Sequence, residues 1–427
     1  MLKRLRIENV GPAQCMDLSF TKGVNILTGN NGLGKSFVLD VAWWALTRQW
    51  PQDVNPLVWT GRMASPPFGQ SGQIRVEVTG KTGVHTAFDS TFDRKRAAWV
   101  LPQGRPAKQG LVVYAMLDGS FSVWDPARNY RKDSGETSAE RQPAFVFTHT
   151  EAWKGKENRD GSKSCNGILE DLVFWIMEKG EAYQQLKSAL ETLSPPQEPI
   201  TLGEIERMMD AQRYPCVRMP YKNRNEIPVV LLSSAIKRML GIAYYLVWAW
   251  QEHKIASQMT GEPETTDITV IIDEIEAHLH PRWQKSILQM LKETVVNLTG
   301  CVNTQFIVST HSPLVMASCE DFFSEDDTWI DIDLCDGEVI AKAKEFSKKG
   351  DVSKWLLSDA FDMESTRSVK SQKVLDEAQL LMKASAFDAK KAQDMQKRLE
   401  SVLPSRDSFW LRWNVYLAKN NCTIDND

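Results

Sequence analysis

A mixed α/β fold built on a central sheet is what the 427-residue sequence predicts, and three stretches predict it. The apolar run Val24–Thr28 leads into Gly29-Asn30-Asn31-Gly32-Leu33-Gly34-Lys35-Ser36, and a helical pattern from Lys35 to Trp50 follows. A second apolar run, Ile268–Ile272, ends in Asp273-Glu274, and a third, Phe306–Ser309, ends in Thr310-His311-Ser312-Pro313. Short unbroken apolar runs that end in polar loops and alternate with helical patterns read as buried parallel strands.

The elements follow in order. Strands are expected over Leu2–Val10, Met16–Phe20 and Val24–Thr28, then the Gly-rich loop and its helix. Alternating runs at Ile74–Val78, Leu111–Leu117 and Phe121–Trp124 predict a β-rich lobe between Gly72 and Val146. Apolar residues at three- and four-residue spacing from Asn166 to Leu193 predict a helical lobe that Pro195-Pro196 stops. Val229–Leu232 reads as a short strand or extended lead into a helix from Ser234 to about His253, with a polar linker Ala256–Asp267 before the next strand. A helix Pro281–Leu298, a strand Gln305–Ser309, an acidic turn Glu320–Asp327 and a strand Trp329–Leu334 complete the pattern. Thr366–Leu403 reads as a helical hairpin broken near Ser385–Phe387. The expected domains are 1–150, 151–228, 229–345 and 346–427.

Composition bounds the function. Lys and Arg number 51 against 55 Asp and Glu, a formal net charge of −4, which argues against coating nucleic acid through bulk charge. The longest apolar run, Met239–Trp250, falls well short of the roughly 20 residues of a membrane span. The first ten residues mix charge with alternating apolar positions, as a strand does and a signal peptide does not. Seven cysteines without CxxC spacing fit a reducing compartment, so a cytoplasmic location is expected.

Residues Gly29–Ser36 match GxxxxGK[ST] between a strand and a helix, the context that pattern requires. Glycines let backbone N–H groups face phosphate oxygens, Lys35 would reach the β- and γ-phosphates, and Ser36 would ligate Mg²⁺. A buried strand would deliver Asp273 to the same Mg²⁺, and Glu274, one step on, would orient and deprotonate the attacking water. A histidine at a strand end, His311, can hydrogen-bond a γ-phosphate; alone it equally suits a turn. Leu232-Ser233-Ser234-Ala235-Ile236-Lys237-Arg238 precedes a helix, where Ser233 is either an N-cap or a hydroxyl aimed at a phosphate.

The order of these four motifs resembles the ABC-type ATPases of the SMC and OLD (overcoming lysogenization defect) kind. The string Asp273-Glu274-Ile275-Glu276-Ala277-His278-Leu279-His280-Pro281-Arg282-Trp283-Gln284 resembles the AAA-labelled ATPases of bacterial anti-phage operons, including the Septu type, whose ATPase works with a separate HNH nuclease. The likeness covers roughly 1–60 and 144–320, and more loosely Phe361–Ser368 and Phe409–Trp413. It implies an ABC-ATPase P-loop fold with a mixed central sheet, a β-rich lobe, an inserted α-helical lobe and a C-terminal helical hairpin. It also implies ATP and Mg²⁺ as cofactors. Gly29, Asn30, Asn31, Gly32, Leu33, Gly34, Lys35, Ser36 and Phe37 would line ATP, and Ser36 and Asp273 would hold the metal. Glu274 would be the base and His311 the switch. Ser233, Ser234 and Lys237 would form a signature acting in trans, and His278 the D-loop. The implied assembly is a head-to-head homodimer or larger homo-oligomer that controls an HNH-type nuclease, with no membrane partner. Two departures stand out: Ser234-Ala235 stand where signature glycines are expected, and the Q-loop glutamine has no clear match, His149 being the candidate for its position. Both favour slow, switch-like turnover.

Two other readings stay open. Arg94, Lys95, Arg96, Arg105, Lys108, Arg128, Arg131 and Lys132, interleaved with Trp99, Tyr114, Phe121, Trp124 and Tyr130, suit either a nucleic-acid face of a DNA-clamping ATPase or a solvated surface. Asp331-Ile332-Asp333 suits a metal nuclease or, preferably, alternating carboxylates on an edge strand. His278 and His280 could pair on a metal, though they lie on a loop without a cysteine.

Overall fold

The structure is a computed structural model that describes residues 1–80, 85–101, 109–129, 143–158, 161–210, 212–222, 225–300, 303–358, 360, 361, 363, 365–384 and 386–420. The chain forms two compact units, Met1–Val352 and Ser353–Asp427. The expected domains 1–150, 151–228 and 229–345 all fall within the first.

An eight-stranded mixed sheet is the centre of the first unit. Its order is Glu338–Lys344, Thr328–Cys335, Val24–Gly29, Asn303–Ser309, Asp267–Ile272, Leu111–Ala115, Phe121–Trp124 and Phe145–Phe147. The five strands from Thr328–Cys335 to Leu111–Ala115 run parallel, and the remainder pair antiparallel at the edges. All six residues of Asp267–Ile272 are buried, which is why that strand reads as a continuous apolar run. Parallel alignment also places the ends of Val24–Gly29, Asp267–Ile272 and Asn303–Ser309 on one edge of the sheet, where ligands of open α/β sheets bind.

A five-stranded antiparallel sheet lies beyond the helix Lys35–Thr47, in the order Cys15–Ser19, Leu2–Glu8, Gln73–Thr79, His85–Asp93, Ala98–Trp99. The helix, KSFVLDVAWWALT, is apolar on nearly every side. It needs cover all round, and it has that between the sheets: Val38, Trp43 and Trp44 share one core with Leu5 and Val76 of one sheet and Ile271 and Ile307 of the other. Gln305, fully buried, bridges the sheets by donating to the Leu2 carbonyl and accepting the Leu2 N–H.

This arrangement corrects the expected β-rich lobe. The strands between Gly72 and Val146 divide between the two sheets, because the first three pair with Leu2–Glu8 and its neighbours and the rest extend from Asp267–Ile272. The segment 151–228 carries the helices Gly167–Glu178 and Glu181–Leu193, split where Lys179 turns left-handed at φ 54°, and also a three-stranded sheet, Thr201–Arg207, Arg213–Arg218 and Glu226–Pro228. The long helix runs Ser234–Thr260, so the expected linker is helical at its start; Gly261, at φ 65°, ends it. Thr328–Cys335 is no edge strand, since Glu338–Lys344 covers it. Among the described residues no helix is long and apolar enough to cross a membrane.

The second unit contains helices Val369–Lys383, Ala389–Val402 and Phe409–Lys419 around Leu375, Leu399 and Trp413. The hairpin break falls where expected, and Asp388 caps the second helix through its carboxylate.

Candidate functional site

The Gly-rich loop is shaped by close backbone packing. Gly29 lies at φ 130°, and a Cβ there would come 2.0 Å from the Ile332 carbonyl oxygen. Gly34 lies at φ 99°, and its Cβ would come 2.5 Å from Pro12 Cγ. Both positions exclude a side chain. Gly34 is also the N-cap of Lys35–Thr47 and supplies no side-chain acceptor, so the helix presents its first amide protons and its positive dipole end to an anion.

Lys35 turns back over this loop, its Nζ donating to the Gly29 carbonyl at 2.8 Å and the Asn30 carbonyl at 3.0 Å. Burial lowers its ammonium pKa, opposed by Glu274, Asp273, Glu276 and Asp331. Asp331, 2% exposed, accepts the Thr28 hydroxyl at 2.8 Å beneath the loop.

Asp273 and Glu274 follow the strand Asp267–Ile272, and Ser309 at the end of the neighbouring strand serves both. Its hydroxyl donates to Asp273 Oδ1 at 2.6 Å and accepts the Glu274 N–H at 2.7 Å. Burial, then the adjacent Asp273 carboxylate, push the Glu274 carboxyl above the usual range. His311 Nε2 lies 3.7 Å from Glu274 Oε1. Burial and the Lys35 ammonium hold this imidazole below its usual value, so a neutral ring faces the carboxylate at pH 7. Glu276 holds the backbone that bears the ring: it accepts the Thr310 hydroxyl at 2.7 Å and the His311 backbone N–H. The sheet thus brings Lys35, Asp273, Glu274 and His311 to one edge. The Ser36 hydroxyl and the Asp273 carboxylate are hard oxygen donors of the kind Mg²⁺ takes alongside phosphate and water.

The other predicted residues lie around this cluster. Asn30 and Asn31 are exposed on the loop, Leu33 is buried beneath it, and Phe37 packs over Gly11. Ser233 caps the helix Ser234–Thr260 by accepting the Ile236 N–H at 3.5 Å, and Ser233 and Ser234 are both exposed. Lys237 donates to the Val230 carbonyl at 2.8 Å. His278 is exposed at φ 65°. His149 is exposed at the start of helix His149–Lys154, which Thr148 and Glu151 close as a capping box. His280 caps the helix Pro281–Gln284 through its ring, and among the described residues no group of three His, Cys, Asp or Glu is placed to hold a metal.

The basic and aromatic cluster is not one face. Arg94, Lys95 and Arg96 lie in the turn before Ala98–Trp99 in the five-stranded sheet. Arg94 donates to the Pro67 and Gln70 carbonyls, and Arg96 lies 3.7 Å from Asp93. Arg128 belongs to the other sheet's surroundings and pairs with Glu252 and Asp125. Trp99, Tyr114, Phe121 and Trp124 are core residues, the last three on strands buried at every position. Arg105 and Arg131, with Lys108, Tyr130 and Lys132, lie outside the described residues.

The sequence from Val24 to Ala317, which contains all of these loops, matches the family described as "AAA domain, putative AbiEii toxin, Type IV TA system". The chain belongs to this AAA-domain family. It is 22% identical over 347 residues to Septu protein PtuA of Bacillus thuringiensis, covering 73% of this chain and 72% of that protein. It is also 29% identical to the Retron Ec83 probable ATPase of Escherichia coli and 36% identical to the Retron Vc95 probable ATPase of Vibrio cholerae serotype O1 biovar El Tor. Those two alignments cover 45% and 23% of this chain but only 32% and 17% of the relatives' length. Among solved structures, an SMC head bound to the C-winged helix domain of ScpA superposes with a TM-score of 0.42 at 14% identity, over 81% of this chain and 98% of that one.

Sequence reasoning missed four residues of this cluster. Ser309 and Glu276 stood inside quoted motifs without a role, and Asp331 was assigned to an edge. Arg238 was passed over beside Lys237, yet it is buried and hydrogen-bonded to the Asp273 carbonyl at 2.7 Å. A lone arginine within the buried half of a helix is the signal that could have found it.

Proposed function

We propose that the protein is an ATP-binding and ATP-hydrolysing subunit that dimerises head to head around nucleotide and controls a separate effector, an HNH-type nuclease, in anti-phage defence. The observation that carries the enzymatic part is the convergence of Lys35, Asp273, Glu274 and His311 on one Gly-rich loop and helix N-terminus.

In this reading the loop amides and Lys35 bind the phosphates and offset their charge. Ser36 and Asp273 hold Mg²⁺, which when bound would neutralise phosphate charge. Glu274 orients water and takes its proton; its raised pKa makes it a better base than a free carboxylate. His311, neutral and fixed by Glu276, hydrogen-bonds the transferring phosphoryl group or the water. Ser233, exposed at the start of a long helix, contacts nucleotide bound by a second copy of the chain. ATP then joins two subunits, and hydrolysis loosens or reorients them. Likeness to Septu protein PtuA and to the retron ATPases supports the defence role and a partner within such a system.

Glu274→Gln keeps the shape and hydrogen-bonding reach of the side chain and removes the base. Phosphate release should fall at least ~100-fold, with ATP binding retained and the ATP-bound dimer accumulating in light scattering. Hydrolysis at the parent rate would refute Glu274 as the base.

A further inference from the structure

We propose that Arg238 is a positioning residue that couples the Ser233 end of the long helix to the peptide bearing Glu274. The guanidinium is 9% exposed and donates from Nη2 to the Asp273 carbonyl and from Nη1 to the Met116 carbonyl, each at 2.7 Å. Both carbonyls stand just past the ends of adjacent parallel strands, Asp267–Ile272 and Leu111–Ala115. A residue from outside the sheet thus satisfies them.

The Asp273–Glu274 peptide is therefore held on both sides, Arg238 on its carbonyl and Ser309 on its N–H. The consequence appears at Glu274, whose φ of 46° lies in the left-handed region that side chains other than glycine seldom adopt. A conformation of that kind persists only where the surroundings over-determine it. The two hydrogen bonds fix the peptide before Glu274, and the Ile275 N–H, donating to the Ser309 carbonyl at 3.1 Å, fixes the peptide after it, so together they set the direction in which the Glu274 carboxylate leaves the backbone. The Arg238 Nε has no hydrogen-bond partner among the described residues, so the two carbonyls anchor the group; burial works against its charge and lowers its pKa, opposed by the Asp273, Asp118, Glu274 and Glu276 carboxylates.

Arg238 and Ser233 share one rigid element. Arg238 lies five positions after Ser233, about 7.5 Å along a helix axis. A displacement of the helix end as Ser233 engages nucleotide carries the guanidinium with it and turns the Asp273–Glu274 peptide. Seating of one subunit's signature would thereby set the base of that same subunit's own site. The inference rests on the reading of Glu274 as base and Ser233 as the contact in trans.

Steady-state ATP hydrolysis and ATP binding by the full chain test it in Arg238→Lys, which keeps the charge but cannot span both carbonyls, and in Ser233→Ala, Glu274→Gln and Ser233→Ala/Arg238→Lys. Parent-rate hydrolysis by Glu274→Gln or Ser233→Ala refutes the underlying reading. With both impaired, Arg238→Lys should lose about tenfold or more in kcat, with KM changed less than about threefold. The double variant should be within about twofold of the slower single variant. Parent kcat in Arg238→Lys, or losses that multiply in the double variant, would overturn the coupling. If Arg238→Lys is unstable in thermal melts, Arg238→Gln in the same cycle decides by the same criterion.

Discussion

Asp40 follows Ser36 by one helical turn, and its environment makes a quantitative prediction about stability. Burial raises its carboxyl pKa to about 7; the Tyr114 hydroxyl, donating at 2.9 Å, only partly offsets this, and Asp273 adds to it. In the unfolded chain the group ionises near 3.8. The native state therefore holds the proton over a range where the unfolded state has lost it, so stability falls as pH rises through that range. Between pH 5 and 8 the linkage integral for these two values is on the order of 2–3 kcal/mol, levelling off above pH 7. Asp40→Asn keeps an acceptor for Tyr114 and cannot titrate. Urea unfolding of parent and Asp40→Asn at pH 5, 6, 7 and 8 should show the gap between them shift by about that amount in favour of the variant as pH rises. Parallel curves across the series would refute the assignment of a proton to Asp40.

Other expectations follow from the same cluster. Ser309→Ala removes the donor to Asp273 and the acceptor of the Glu274 N–H. It should cost about 1–3 kcal/mol in stability by urea unfolding and lower phosphate release about tenfold; parent activity would show that the Asp273–Glu274 peptide needs no such support. With Glu274 as the proposed base, active only when ionised, and with its carboxyl pushed above the usual range, hydrolysis should fall on the acid side with a midpoint above 4.5. A pH–rate profile that stays flat down to pH 4.5 would contradict this.

The parts of the site legible in the sequence are those whose physics is local. Gly29 and Gly34 are dictated by backbone approach, the run Ile268–Ile272 by burial on both faces, and the Gly34-Lys35 boundary by the start of a helix. The parts that were not legible depend on contacts between distant segments. Ser309 meets Asp273 across a strand pair, and Arg238 reaches a strand end from a helix packed elsewhere on the sheet. Asp331 looked like an edge carboxylate because Glu338–Lys344, which covers its strand, carries only part-buried and exposed residues and no clear apolar face. The same limit explains the basic cluster. Charged and aromatic residues adjacent in sequence divide between two sheets, and the aromatic rings face the core.

The central claim is that each ATP site takes residues from two copies of the chain, and mixing two inactive variants tests it most directly. Lys35→Ala removes the phosphate-binding ammonium and Ser233→Ala removes the hydroxyl offered in trans, so either homodimer has two defective sites. A mixed dimer carries both defects in one site and leaves the other intact. On random exchange, half the dimers are mixed, and hydrolysis should rise above the average of the two components to at most about a quarter of the parent rate at equal total protein. It is lowered further by the factor lost in Arg238→Lys, because the subunit with the intact phosphate loop carries the Ser233→Ala signature. A mixture no more active than the average of its two components, with exchange verified by light scattering of tagged chains, would contradict a shared site.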